Sequence, residues 1–295
     1  MGGRTVMTRL KIVHRTGYHY NKPVLVSYNE ARMTPPTEPG QTVLGSRVTV
    51  ERPGATQSRY ADYWGTQVTT FEVHEPHEWL EVVASATVDV NREQAPASDG
   101  EPLGWAELSS RGVQDEFSDH LPQTDLSAPG DEATELVAAL AGRPTPKAAA
   151  EEVFSRLRGE MTYMPGSTGV HTDAAQAWAQ RQGVCQDLAH LAIGCLRSLG
   201  IPARYVSGYL HPRAEADPGQ TVAGQSHAWL EWWDGAWHSW DPTNHKAAGD
   251  FHVVVARGRD YRDVAPLKGI LSGGGGSRLE VSVDMTWLTW DSVRA

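Results

Sequence analysis

The run from 185 to 199 constrains the fold more than any other part of the chain. Leu188, Leu191, Ala192, Cys195 and Leu199 recur at steps of three and four, which lays one apolar stripe along a helix. Gly200-Ile201-Pro202 then ends that helix. Strand-like runs follow at 203–210, 226–233 and 236–241, and 251–256 is a further candidate. One unit of this chain therefore mixes a strong helix with several strands. The helix opens on a cysteine, in Gln182-Gly183-Val184-Cys185-Gln186-Asp187.

The N-terminal part reads differently. Thr16-Tyr18-Tyr20 and the runs 43–50, 68–73 and 80–90 alternate or cluster β-branched and aromatic residues. Pro35-Pro36, Glu38-Pro39-Gly40, Pro53-Gly54 and Trp64-Gly65 punctuate them. Strands at this spacing predict an antiparallel β-sandwich over 8–92. Periodicity is lost over 93–130, and the polar, proline-bearing stretch from Glu93 to Pro102 reads as a linker. Helical composition returns at 131–141 and 147–158, so a second domain is expected over 131–295. Within it, 272–277 with its four glycines is a flexible loop without the Lys-Ser/Thr of a phosphate-binding loop, and 279–287 could return as an edge strand.

Composition excludes several functions. A net charge of −10 without a basic run disfavours nucleic acid and anionic membranes. No apolar stretch is long enough to span a bilayer, and the N-terminus lacks the apolar core of a signal peptide. Met7 is the expected natural start. Two cysteines make no disulfide framework, so a cytoplasmic location is expected. The twelve histidines include no CxxC or HExxH spacing, and no oxygen-rich calcium loop is present; neither a metal nor an organic cofactor is expected.

Cys185, His227 and Asp241 follow one another as thiol, imidazole and carboxylate, the chemical parts of a nucleophile, its base and the orienter of that base. The first turn of a helix offers Cys185 free N–H groups and a partial positive charge, which favour thiolate. Cys195, on the apolar stripe, is expected to be structural. Whether His227 and Asp241 meet depends on the turn at Asp234-Gly235. A two-residue turn would put them on opposite faces, whereas a three-residue loop over 233–235 would pair them. The three-residue loop, or an equivalent bulge, is predicted. The bland reading of Asp241-Pro242-Thr243 is a turn starter at a strand end.

Gly183 to His190, Leu199 to Tyr209, His227-Ala228-Trp229, Asp241 to Asn244 and Gly258-Arg259-Asp260-Tyr261 together resemble the core of the bacterial transglutaminase-like family. His14 to Tyr20 and Asp62-Tyr63-Trp64-Gly65 resemble the N-terminal β-domain of that family, with Thr66 a departure where asparagine is usual. The resemblance implies an α+β fold with a papain-like core, Cys185 as nucleophile, His227 as general base and acid, and Asp241 as orienter. It implies acyl transfer through a thioester on a peptide or amide substrate, with water or an amine as acceptor. A non-catalytic binding or scaffold module that keeps the fold is the alternative.

The Cys185 N–H is the expected first oxyanion donor, and Tyr163 is a candidate for the second. Asp187 either orders the loop before Cys185 or caps the helix, and His190 lies in the same region of the helix. Arg204 and Tyr205 either bind a substrate carboxylate or, for Arg204, form a structural ion pair. Trp229 and its neighbouring tryptophans either wall a site or pack the sheet. The β-domain is a possible surface for a protein partner.

Overall fold

The computed structural model describes residues 7–52, 54–92, 100–212 and 217–288. The extension before Met7 and most of the proline-bearing stretch of the expected linker lie outside these residues.

Strand β1 (Thr8–Ala31) runs for 24 residues and organises the first sheet. It spans the polar run Asn21-Lys22-Pro23 without ending. Pro23 has no N–H for a ladder, and it stands where β1 changes partners. Up to His19, and again at Val24 after an irregularity, one side of β1 pairs with β5 (His77–Val90), and from Ser27 the same side pairs with β4 (Gln67–Val73). The other side pairs up to Tyr20 with β14 (Ser277–Leu288) and from Val24 with β13 (Leu267–Gly273). Two interrupted strands, β4 running on into β5 and β13 into β14, thus flank one bent strand. Outer positions go to β2 (Gln41–Val50) beside β5, β3 (Thr56–Ala61) beside β4, and β9 (Thr221–Ala223) beside β14.

All eight strands form one antiparallel sheet. The two layers of the expected sandwich are therefore two lobes of a sheet bent over itself as a half-barrel. Phe71, Val73 and Ala31 of one lobe pack on Val48, Val50, Leu80 and Val82 of the other. Because β13 and β14 come from the far end of the chain, the two structural units interlock. The last part of the expected catalytic domain belongs to the first sheet, and 279–287 lies between β1 and β9 rather than at an edge.

The region expected as a linker is also structured beyond residue 99. It contains α1 (Trp105–Leu108) and α2 (Arg111–Glu116), and Leu108, Phe117 and Leu126 are buried. Next come α3 (Gly130–Ala138), which a single 3-10 turn extends, and α4 (Pro146–Glu160), capped by the Thr145 hydroxyl with Pro146 at its first turn. After the short parallel pair β6 (Thr162–Tyr163) and β7 (Gln182–Gly183) with α5 (Ala174–Gln180) between them comes α6 (Cys185–Ser198). A second, four-stranded sheet has the order β11 (Trp237–Trp240), β10 (Gln225–Trp233), β8 (Ala203–Leu210), β12 (His252–Gly258), followed by the short helix α7 (Tyr261–Val264).

Helix α6 is the buried axis of the molecule. It ends in a Schellman motif: Ile201 N–H donates to the Leu196 carbonyl and Gly200 N–H to the Arg197 carbonyl, each at 3.0 Å, with Gly200 at φ 76°. One core joins α6 residues Leu191, Ile193 and Leu196 to Leu230 of β10 and, from the first sheet, to Ile12 and Met285. Arg197 is buried among carbonyls. Its guanidinium donates to the backbone oxygens of His120, Ala203 and Arg259 and to the Ser127 hydroxyl. Burial lowers its pKa to about 10. Gly194 lies against the same segment, where a Cβ would meet the Ser127 carbonyl oxygen at 1.9 Å. Both residues tie α6 to the 120–129 segment, so that the start of α6 is held in one place.

That contact makes a testable prediction. Gly194→Ala gains helix propensity but drives its methyl group into a backbone carbonyl, so it destabilises by roughly 2–4 kcal/mol rather than stabilising. Urea unfolding followed by tryptophan fluorescence measures this, and a stabilised variant would overturn the packing argument.

Candidate active site

Cys185 occupies the first position of α6 and is half-buried. Val184 is extended, so the chain enters the helix by a sharp turn, and the Asp187 carboxylate fixes that turn. Its Oδ2 accepts the Val184 N–H at 2.7 Å and the Thr168 hydroxyl. Asp187 therefore does both things foreseen for it: it caps the helix start and it ties down the loop before it. Burial pushes its pKa up.

His227 lies near the start of β10. The hairpin that follows pairs Trp233 with Trp237 and Leu230 with Trp240. Its loop is thus three residues long, 234–236, one residue later than the sequence predicted. The parity is the same, so the face relation survives. His227 and Asp241 sit diagonally rather than directly opposed, and His227 Nε2 reaches Asp241 Oδ2 at 2.8 Å. Gly235 is required in that loop for two reasons. Its φ is 112°, and a Cβ there would meet the Glu101 carbonyl oxygen at 2.1 Å.

With Nε2 committed to Asp241, Nδ1 of His227 is the nitrogen left for the Cys185 thiol. Burial disfavours the charged imidazole, but hydrogen bonds to Asp241 and Cys185 outweigh it and raise the pKa to about 9. Asp241 is fully buried. Burial pushes its carboxyl up, and hydrogen bonds from His227 and His252 overcome this and hold it well below the usual carboxylate range. Its other oxygen, Oδ1, accepts the N–H groups of Thr243 and Asn244 at 3.0 and 3.1 Å. Asp241 is therefore a turn starter through one oxygen and the partner of His227 through the other.

Sequence reasoning missed His252. Its Nε2 stands 3.0 Å from Asp241 Oδ2, and Asn244 Nδ2 donates to the same oxygen at 2.7 Å. The ligand-type atoms of His227, Asp241 and His252 lie within 4.8 Å of one another, a spacing a divalent ion would accept. The hydrogen-bond pattern does not fit a metal. His252 Nδ1 accepts the Gly249 N–H at 3.1 Å, so its proton is on Nε2, where a ligand lone pair would be needed.

The remaining candidates fall into two groups. Tyr163 is exposed on β6, close enough to Cys185 and Asp241 for their charges to raise its pKa beyond the larger effect of burial. Trp229 is buried beside the triad, its ring 6.1 Å from that of His227 and 5.3 Å from that of His252. The others are engaged elsewhere or closed off by burial, Tyr205 included although it lies near Cys185. Arg204 is committed to Glu231, Nε to Oε2 at 2.7 Å, and its guanidinium lies 3.8 Å from the Trp237 ring centroid, the structural one of its two readings. Tyr205 is buried against His190, and His190 accepts the Tyr261 N–H at 3.1 Å. Neither Tyr205 nor His190 is open to a substrate. Cys195 is buried, and burial pushes its thiol up to about 12.

An acid–arginine network holds the far side of the second sheet. Glu231, on β10, accepts from Arg204 and Arg257, and Arg257 also donates to Glu38 at 3.0 Å in the turn between β1 and β2. Gln41 brackets Val254 of β12 with both amide atoms, at 2.8 and 3.0 Å. The first sheet thereby fixes the strand that carries His252.

Comparison with known proteins agrees with this architecture. Residues 10–89 match the bacterial transglutaminase-like N-terminal region, and residues 134–242 match the transglutaminase-like superfamily. An uncharacterized protein of Mycobacterium leprae is 44% identical over 283 residues, covering 96% of this chain and all of that one. An uncharacterized protein of Mycobacterium tuberculosis is 34% identical, covering 97% and 95%. The crystal structure of a "Putative Cysteine Protease" from Cytophaga hutchinsonii superposes with a TM-score of 0.74 at 22% identity, over 96% of this chain and 92% of that chain. The chain belongs to the bacterial transglutaminase-like family. No helix among the described residues is long and apolar enough to cross a membrane.

The His227 geometry predicts a pH dependence. Its folded pKa of about 9 exceeds the 6.5 of a free imidazole. The linked stability is fully present below pH ~6.5 and is lost as pH rises through ~9. The advantage of wild type over His227→Gln in unfolding free energy is therefore largest near pH 6 and falls, by on the order of 2–3 kcal/mol, toward pH 9.5. Parallel urea titrations at both pH values read it; a gap that widened with pH would contradict the assignment.

Proposed function

We propose that the chain is a cysteine-dependent acyl transfer enzyme acting on amide or peptide substrates through a thioester. The observation that carries this reading is the thiol at the first position of a buried helix together with His227, which is bonded to Asp241 at 2.8 Å and whose charged form both Asp241 and Cys185 favour. A charged imidazole beside the sulfur favours the thiolate–imidazolium pair, the reactive form of a cysteine nucleophile.

In this mechanism the Cys185 thiolate attacks the amide carbonyl carbon and the carbonyl oxygen takes the negative charge. The N–H groups of the first turn of α6 have no intrahelical acceptor and are placed to stabilise that oxygen. As the C–N bond breaks, the Nδ1 proton of His227 goes to the departing amine and leaves a thioester. Water or an amine then attacks, His227 takes its proton, and the sulfur is released. Asp241 remains a carboxylate throughout and holds the imidazole by Nε2.

Phe154, Leu157, Met161, Leu188 and Pro242, with Arg158, Tyr163 and Thr243, line a cavity of about 80 Å³ next to the turn that follows Asp241. Its small size and mixed walls suit a short side chain of the acyl donor. A reducing compartment such as the cytoplasm suits a site that depends on a free thiol, and both cysteines are free.

Intact-mass analysis after iodoacetamide tests the reading. Wild type is expected to take one fast adduct, absent in Cys185→Ala and at least tenfold slower in His227→Ala. Amide turnover with and without added amines then separates transamidation from hydrolysis. Equal slow labelling of wild type and Cys185→Ala would favour a binding module that keeps the fold without the chemistry.

A further inference from the structure

We infer that His252 is a positioning residue of this site: a histidine locked as a neutral Nε2–H donor that fixes the Asp241 carboxylate for His227. The inference deepens the proposed function and rests on it for its catalytic meaning. The tautomer itself follows from geometry alone.

The lock has two parts. His252 and Gly249 are joined twice, by the His252 N–H to the Gly249 carbonyl at 2.9 Å and by the Gly249 N–H to His252 Nδ1 at 3.1 Å. A nitrogen that accepts a backbone N–H cannot carry a proton of its own, so the only proton of the ring is on Nε2, pointing at Asp241 Oδ2 at 3.0 Å. A second proton would set N–H against N–H at Nδ1, and it would also bring a second charge near the His227 imidazolium. Among the described residues, three charged or titratable groups act most on the ring. Asp241 accepts from it, His227 and Lys246 oppose its protonation, and Arg92 Nη2 approaches only its carbonyl oxygen, at 3.4 Å. The ring is buried on the second strand from β10, with Trp229 edge-on to it and stacked on His227.

The chemical consequence is a division of labour between two histidines on one oxygen. Asp241 Oδ2 accepts from His227, His252 and Asn244. Two of those donors never give up their protons, so the carboxylate cannot swing away when His227 changes charge. The proton that moves in the reaction stays on His227. Without His252, Oδ2 keeps only Asn244 as a fixed donor, and the imidazole loses the rigid mount that aims Nδ1 at Cys185.

Two variants and one spectrum test this in the full chain. In ¹⁵N-histidine-labelled protein, His252 is expected to show the neutral Nε2–H form from pH 5.5 to 9 without titrating. His252→Phe keeps the ring size and removes the donor. It should slow Cys185 alkylation by iodoacetamide at least tenfold and displace the titration of His227. His252→Gln restores an N–H donor and should recover the rate to within about threefold of wild type. A proton on Nδ1, a titrating His252, or a His252→Phe protein that labels like wild type with an unmoved His227 titration would each overturn the inference. If His252→Phe does not fold, His252→Gln and the wild-type spectrum still decide it. Failure of the enzyme reading looks different, because wild-type Cys185 would then label slowly while the tautomer of His252 is still observed.

Discussion

The site depends on a charge that has been taken out of water. Asp241 has no exposed surface, and an isolated buried carboxylate costs several kcal/mol. It remains ionised because donors from three different places converge on it: His227 on β10, His252 on β12, and the Thr243–Asn244 turn beyond β11. Each donor holds only if its own strand is in register. The β10–β11 loop must keep Asp241 on the face of His227, β12 must bring His252 beside β8, and the turn after Asp241 must fold back. The geometry around Cys185 is thus an outcome of the whole second sheet.

The first sheet acts through the same strands. Glu38 and Gln41, from the turn that opens β2, reach Arg257 and Val254 of β12. Glu231 shares Arg257 with Glu38 and lies two strand positions beyond Trp229, so β10 and β12 are clamped on the side away from α6. Burial pushes the Glu231 carboxyl up, but the two arginines override that and bring it down to about 2, so the clamp remains charged under mild acid. On the other side, Arg197 and Gly194 seat α6 against 120–129. Sheet and helix are each held in place, and with them the imidazole of β10 and the thiol of α6.

Much of this was legible in the chain, for physical reasons that vary by element. The α6 stripe and its glycine stop are local signals, and so is the thiol at the first turn. The need for a three-residue hairpin follows from strand parity. Its position was read one residue early because Ala236 is compatible with either the loop or the strand. The half-barrel was harder. Asn21-Lys22-Pro23 is polar and bears a proline, yet β1 passes through it, because its partners on both sides are interrupted near that level, between β4 and β5 and between β13 and β14, and the strand has only to bend. β3 and β13 carry no alternation, since water reaches most of their side chains. His252 left no local mark: it is one histidine of twelve, and its role depends on the register of β12 against β8, set by residues more than forty positions away. Arg204 was left open between ligand and structure, and only the position of Glu231 across the strand pair decides it.

The bent strand has a consequence for how the molecule comes into being. β1 is made early, yet its second row of partners is β13 and β14, with Arg9 opposite Leu288 and Tyr28 opposite Ile270. Pairings of such sequence separation carry a large loop-closure cost and form late. During synthesis β1 waits with one edge unfilled until β14, which ends at Leu288, has been made. An unfilled strand edge is a surface on which chains can pair wrongly. The sheet bracing β12 therefore closes only after β14 is made, so a product truncated before β13 would lack a finished brace behind Cys185.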